Sequence, residues 1–236
     1  RSTQGVSSAA SDVYKRQTLY AFKSRGFGGE IGINYPELWN SDSVYRRQMM
    51  DDNIKEAVIE CKCGSSALTV ADGKAVLYLQ CGCEDCRQAL QWGHMKGAVE
   101  PDPLPQLYYL RSDIVDVKGK DYMKAFKIRE DGRSTRIFCI KCYSVLGVDH
   151  PAYQSNVFLN FPKHCNNGGD LSIPLVAYVH MIDYSDDIGP LPTEDVPLFV
   201  TNRFPQERQR LFSLPEVATV SYTHLRAHET PEHRGL

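Results

Sequence analysis

From residue 57 onward the chain alternates apolar and polar positions in short runs separated by turn residues, the period-two signature of half-buried strands. AVIECKC (57–63) is the first such run. SALTV (66–70) and AVLYLQ (75–80) flank ADGK (71–74), whose Asp-Gly pair predicts a hairpin. LPQLYYL (104–110) and SDIVDVKG (112–119) read as further strands, and YMKAFKI (122–128) and STRIFCI (134–140) flank a second Asp-Gly turn, EDGR (130–133). NVFLNF (156–161) and LSIPLVAYVHMID (171–183) are strand candidates separated by the loop chemistry of HCNNGGD (164–170). The pattern predicts a mainly β domain in which each of two hairpins ends on a cysteine group. QWGHMKGAVEPDPLP (91–105) reads as a loop over that region, and SVYRRQMMDDNIKEAV (43–58) as a short helix.

The remainder of the chain adds little to the core. SAASDVYKRQ (8–17) and VSYTHLRAHETPEHRGL (220–236) read as translated sequencing-adaptor sequence, so residues 1–17 and 220–236 are expected to take no part in the fold. That sets aside His224 and His228, whose i, i+4 spacing would otherwise suggest a metal site. Residues 18–56 form an N-terminal extension, 57–205 the folded domain and 206–219 a C-terminal extension. SRGFGGEIG (24–32) carries neither a dinucleotide fingerprint nor a P-loop. Discarding the two end segments removes five of the 27 lysines and arginines and three of the 29 acidic residues, leaving 22 against 26. That acidic balance does not favour a nucleic-acid partner. No run of 18 apolar residues occurs, so no membrane span is predicted.

The eight cysteines change the picture. All lie between Cys61 and Cys165, as CxC, CxCxxC, CxxC and a singleton. Such short spacings are those of thiolate metal ligands and point to a reducing, cytoplasmic setting. In an extended strand residues i and i+2 share a face, so Cys61 and Cys63 should serve one ion, and Cys81 and Cys83 another. A CxxC turn joins Cys86 to the second pair. Cys139 and Cys142 complete the first, giving a closed Cys₄ zinc site. The trio Cys81, Cys83 and Cys86 is then left with an open coordination place, which suits a soft ligand such as a thiolate. Other readings stand beside this one: Cys165, His94 or His164 as the fourth ligand of the trio, or a metal-free redox cluster. Arg87 is a candidate to meet a substrate carboxylate. Trp92 and His94 are candidates to line the mouth of the same site.

The stretches ECKCG (60–64), CGCEDCRQ (81–88) and RIFCIKC (136–142) occur in that order, with 17 and 52 residues between their cysteine groups. In this the chain resembles the glutathione-dependent formaldehyde-activating enzyme family, which includes centromere protein V, over about residues 57–199. The resemblance implies a tent-like fold of antiparallel sheets with two zinc ions. One is structural, on Cys61, Cys63, Cys139 and Cys142; the other is reactive, on Cys81, Cys83 and Cys86. It implies a carbon–sulfur lyase activity like that of S-(hydroxymethyl)glutathione synthase, with a small thiol such as glutathione as partner. The alternative it offers is a non-catalytic binding module of the centromere protein V type. The chain departs from the family pattern at Gly82, where a polar residue or histidine is usual, and at Tyr143, where glycine is usual.

Overall fold

The structure is a computed structural model, and it describes residues 55–153, 156–190, 192, 195–218 and 220. The expected helix at 43–58 falls outside them except for its last residues, which begin a strand. The glycine-rich stretch 24–32 and the tail histidines also lie outside.

Eleven strands form two sheets among the described residues. The smaller joins β1 (Ala57–Cys61), β2 (Ala67–Val70), β5 (Ile114–Lys118) and β10 (Cys165–Asn167) in the order β10-β1-β2-β5. The larger joins β3 (Leu77–Cys81), β4 (Gln106–Arg111), β6 (Met123–Phe126), β7 (Thr135–Cys139), β8 (Val145–Asp149), β9 (Val157–Asn160) and β11 (Ala177–Val179). Its order is β11-β3-β4-β9-β8-β7-β6. Every named pairing is antiparallel except that of β11 with β3. Two helices of eight or more residues accompany the sheets, α1 (Glu84–Met95) and α2 (Pro205–Phe212).

Period-two alternation makes the larger sheet a middle layer, because successive side chains leave it on opposite faces. Leu77, Leu79 and Cys81 of β3, with Val157 and Leu159 of β9, pack with Leu90 of α1 and Leu211 of α2. Tyr78, Leu146 and Phe158, on the other face, pack with Ile59, Leu68 and Val70 of the smaller sheet. Tyr78 stacks on Tyr108 at 4.2 Å, which adds to the area that the pair buries. Val217 joins the helix-side cluster with Leu211, and so does Val220, contrary to the expectation that the chain from residue 220 takes no part in the fold. No helix of the described residues is long and apolar enough to cross a membrane.

Three expectations change. The ADGK segment does not close a hairpin: β2 pairs with β1 and β5, whereas β3 pairs with β4 and β11. Asp72 does make the local turn, its carboxylate accepting from Lys74 N at 3.0 Å. Gly73 then passes so close to β1 that a Cβ there would lie 2.2 Å from Ala57 Cβ. A tight Asp-Gly turn fixes a change of direction but not the strand's next partner, and here the chain crosses between layers. The second turn is a hairpin, β6 on β7, as expected. Cys165–Asn167 of HCNNGGD form strand β10 on β1, and the expected loop starting at residue 91 is helix as far as Met95.

Candidate metal centres

The two cysteine groups fall on opposite faces of the larger sheet. Cys61, Cys139 and Cys142 pack between the sheets, while Cys81, Cys83 and Cys86 belong to the helix side.

In the first group the sulfurs of Cys61, Cys63, Cys139 and Cys142 all lie within 4.8 Å of one another. Cys61 Sγ is 3.5 Å from Cys63 Sγ, which is 3.8 Å from Cys139 Sγ. Sulfurs placed tetrahedrally at 2.3 Å around an ion are separated by about 3.8 Å, so these spacings match a four-thiolate site. Two similar turns build it. In each, the cysteine ending a strand donates its N–H to a serine carbonyl, Cys61 to Ser66 at 2.9 Å and Cys139 to Ser144 at 3.0 Å. Cys61 and Cys63 therefore meet through a turn rather than along an extended strand as expected.

Hydrogen-bond donors around this group favour negative sulfur, and burial opposes them. Ser66 N donates to Cys61 Sγ at 3.3 Å, and Ser144 Oγ, 3.2 Å from Cys142 Sγ, accepts from Lys62 N at 3.1 Å. That leaves the Ser144 hydroxyl proton for a Cys142 thiolate. Burial pushes the Cys61 thiol up to about 11, against the pull of the Ser66 N–H. Cys63, at the exposed rim, is drawn down to about 6, chiefly by hydrogen bonding from the Ser65 side chain. Tyr143, which closes the second turn, has φ +55°. Glycine takes that left-handed conformation freely, whereas a side chain there costs about 1–2 kcal/mol. Edge contacts of the Tyr143 ring with Trp92 and its stacking on Phe138 offset this cost.

The second group is made where β3 meets α1. Cys81 is buried at the strand end. Cys83 caps the helix, its sulfur accepting from Cys86 N at 3.3 Å, and Cys81 Sγ accepts from Cys83 N at 3.4 Å. The exposed N–H groups and dipole of the first helical turn favour a thiolate at this point. Cys83 is held far below the ordinary thiol range, first by hydrogen bonding with the Cys81 side chain and then with that of Cys86. Cys81 is pushed well up by the Cys83 and Cys86 sulfurs and by burial. The three sulfurs lie within 4.8 Å of one another, and among the described residues no fourth cysteine, histidine or carboxylate joins them. Cys83 is only partly buried, whereas Cys86 is enclosed within the group.

Gly82 is required here by space. A Cβ would lie 2.9 Å from Tyr184 Cβ and 3.1 Å from both His180 O and Met181 Sδ, so glycine lets the turn at Met181–Asp183 close against the trio.

Other predicted residues are placed differently from one another. Arg87 lies beside the trio, but its NH1 donates to Gly82 O and its NH2 to Asp183 O at 2.7 Å. It therefore staples the cysteine turn to the turn at Met181–Asp183. Trp92 packs among Phe126, Phe138 and Tyr143. His94 is two turns further along α1 than Cys86, about 12 Å at 1.5 Å per residue, with Nδ1 3.1 Å from Ala98 O. Cys165 is not part of the trio: it is paired with Cys61 across β1 and β10, and its thiol donates to Val145 O at 3.1 Å. His164 is buried and neither ring nitrogen has a partner.

Residues outside the cysteine motifs also surround the trio. Tyr109 and Tyr153 pack against the same cluster as Cys81, ring to ring at 5.7 Å. Burial raises both hydroxyls, so they are donors rather than bases at neutral pH. Arg136, on β7, is buried under α1. Period-two alternation from Cys139 could have placed it on the helix-side face, although its nearness to Cys86 depends on where α1 docks. A comparison of the chain with protein-family models and with curated proteins finds no match.

Proposed function

We propose that the chain is a two-zinc protein with a carbon–sulfur lyase-like activity on a small thiol adduct, as in the glutathione-dependent formaldehyde-activating enzymes. The observation that carries this reading is the contrast between the two cysteine groups. Four sulfurs close one, whereas three form the other with no fourth side-chain donor among the described residues and with partial access to solvent at Cys83. An all-sulfur donor set at tetrahedral spacing suits zinc. Two sheets meeting over the four-cysteine group are consistent with a tent-like fold.

Cys61, Cys63, Cys139 and Cys142 would hold the structural ion and tie β1 to β7. Cys81, Cys83 and Cys86 would hold the second. Zinc there would supply a Lewis-acid place open to a thiolate or a carbonyl oxygen.

The reaction proposed is addition of a thiol to formaldehyde: the carbon–sulfur bond forms, the carbonyl π bond breaks, and the thiol proton ends on the new hydroxyl. For this the chain provides a preorganised turn, held by the first N–H groups of α1 and stapled by Arg87. The Tyr109 and Tyr153 hydroxyls, protonated at neutral pH, add donors on the same side of the sheet.

The test is metal content measured with glutathione titration of the cobalt-substituted protein. Two metals per chain, with the absorption of one perturbed by glutathione, support the proposal. One tightly held metal with no thiol response favours the non-catalytic module of the centromere protein V type.

A further inference from the structure

Arg136 is 3% exposed. A guanidinium taken that far from water is strongly disfavoured unless charge and hydrogen bonds compensate it. The direct compensation is thin. NH1 reaches Ser134 O and NH2 reaches Asp85 O, both at 3.4 Å, and Nε has no acceptor. No carboxylate of the described residues pairs with it. The nearby Asp85 carboxylate is turned outward to Arg129, with contacts of 2.7 and 2.9 Å.

The remaining counter-charge is the cysteine trio. Asp85, whose carbonyl receives NH2, immediately precedes Cys86. Three thiolates around a divalent ion leave one net negative charge. A thiolate arriving as fourth ligand makes two, whereas a neutral ligand leaves one. A cation fixed in a poorly hydrated place beside Cys86 therefore lowers the cost of the first case much more than that of the second.

We propose that Arg136 is a positioning residue that makes the three-cysteine site selective for anionic, thiolate-class ligands over neutral ones. This rests on the reading above that the trio holds zinc with an open place.

The experiment uses the full chain loaded with cobalt, as wild type, R136K and R136M, each checked for two metals and for native circular dichroism. Glutathione and imidazole are titrated separately at pH 7.5, following the cobalt d–d and thiolate charge-transfer bands. In R136M the glutathione dissociation constant rises tenfold or more, while that for imidazole stays within twofold. R136K keeps the charge and retains most of the preference for glutathione. Parallel weakening of both ligands in R136M, or no change in either, overturns the inference. If R136M does not fold, R136K decides: loss of the thiolate preference with both metals bound also overturns it. A wild type that binds imidazole but no glutathione defeats the functional reading itself, whereas a wild type that binds glutathione with R136M unchanged defeats only the role of Arg136.

Discussion

Replacing His164 with glutamine should remove a large acid sensitivity from the fold. His164 is 2% exposed, lies edge-on to Phe161 at 6.3 Å, and lines a small cleft with Leu90, Asp102, Pro105, Gln106 and Lys163. Neither ring nitrogen has a partner among the described residues, so no hydrogen bond compensates a proton placed on it. Burial is the main cause that draws it from 6.5 down to about 4; Lys163, Lys62 and His94 act in the same sense, and only Asp102 opposes them. Asp102 is held 2.5 Å from Lys163, which limits its help.

The unfolded chain thus takes up this proton before the folded one does. The penalty is absent above pH 6.5, grows as the pH falls through 6.5 to 4, and is complete below 4. That interval converts, at 1.36 kcal/mol per pH unit, into about 3 kcal/mol. Urea unfolding of wild type and His164→Gln at pH 8, 7, 6, 5 and 4 measures it, with acid effects elsewhere in the chain cancelling in the difference. Relative to the variant, the wild type should lose about 3 kcal/mol between pH 7 and 4, nearly all of it below 6.5. A constant difference across the series would refute the argument.

Further outcomes follow from the two cysteine groups and their turns. Cys139→Ser should leave the chain unfolded or molten by circular dichroism, since closed Cys₄ zinc sites contribute about 10–16 kcal/mol against a domain's net 5–15. Cys83→Ser should instead keep the fold and one metal per chain, measured by elemental analysis. Tyr143→Gly and Tyr143→Ala both lose the ring contacts with Trp92 and Phe138. Only alanine keeps the strain at φ +55°, so the glycine variant should be the more stable by about 1 kcal/mol in denaturant titrations. Gly82→Ala should cost about 1–3 kcal/mol by crowding Tyr184 and Met181, and should also weaken metal retention by the trio.

The strands β1, β4, β5, β6 and β7 were legible because each is a short run rich in apolar, aromatic or β-branched residues and bounded by turn chemistry. The grouping of the seven cysteines was legible because thiolates within two or three residues can hardly serve different ions. Three things were not. The partner of β3 depends on which layer receives it, and an Asp-Gly turn carries no such information. Helix α1 begins on a cysteine, which is rarely thought of as a cap, although Glu84 and Asp85 in its first turn and the apolar positions Ala89, Leu90 and Gly93 are helical signals. The role of Arg87 was misplaced because a cation next to a reactive turn suggests an anion, while here neighbouring carbonyls occupy it.

The placement of the two sulfur groups on either side of a single sheet has an evolutionary consequence. A thickness of pleated backbone stands between the ion that would hold the layers together and the ion that would meet a substrate. Substitutions that retune the second, or even delete it, need not disturb the rivet on the other side. A scaffold partitioned in this way can exchange one chemistry for another, or abandon chemistry for binding, without first having to learn to fold again.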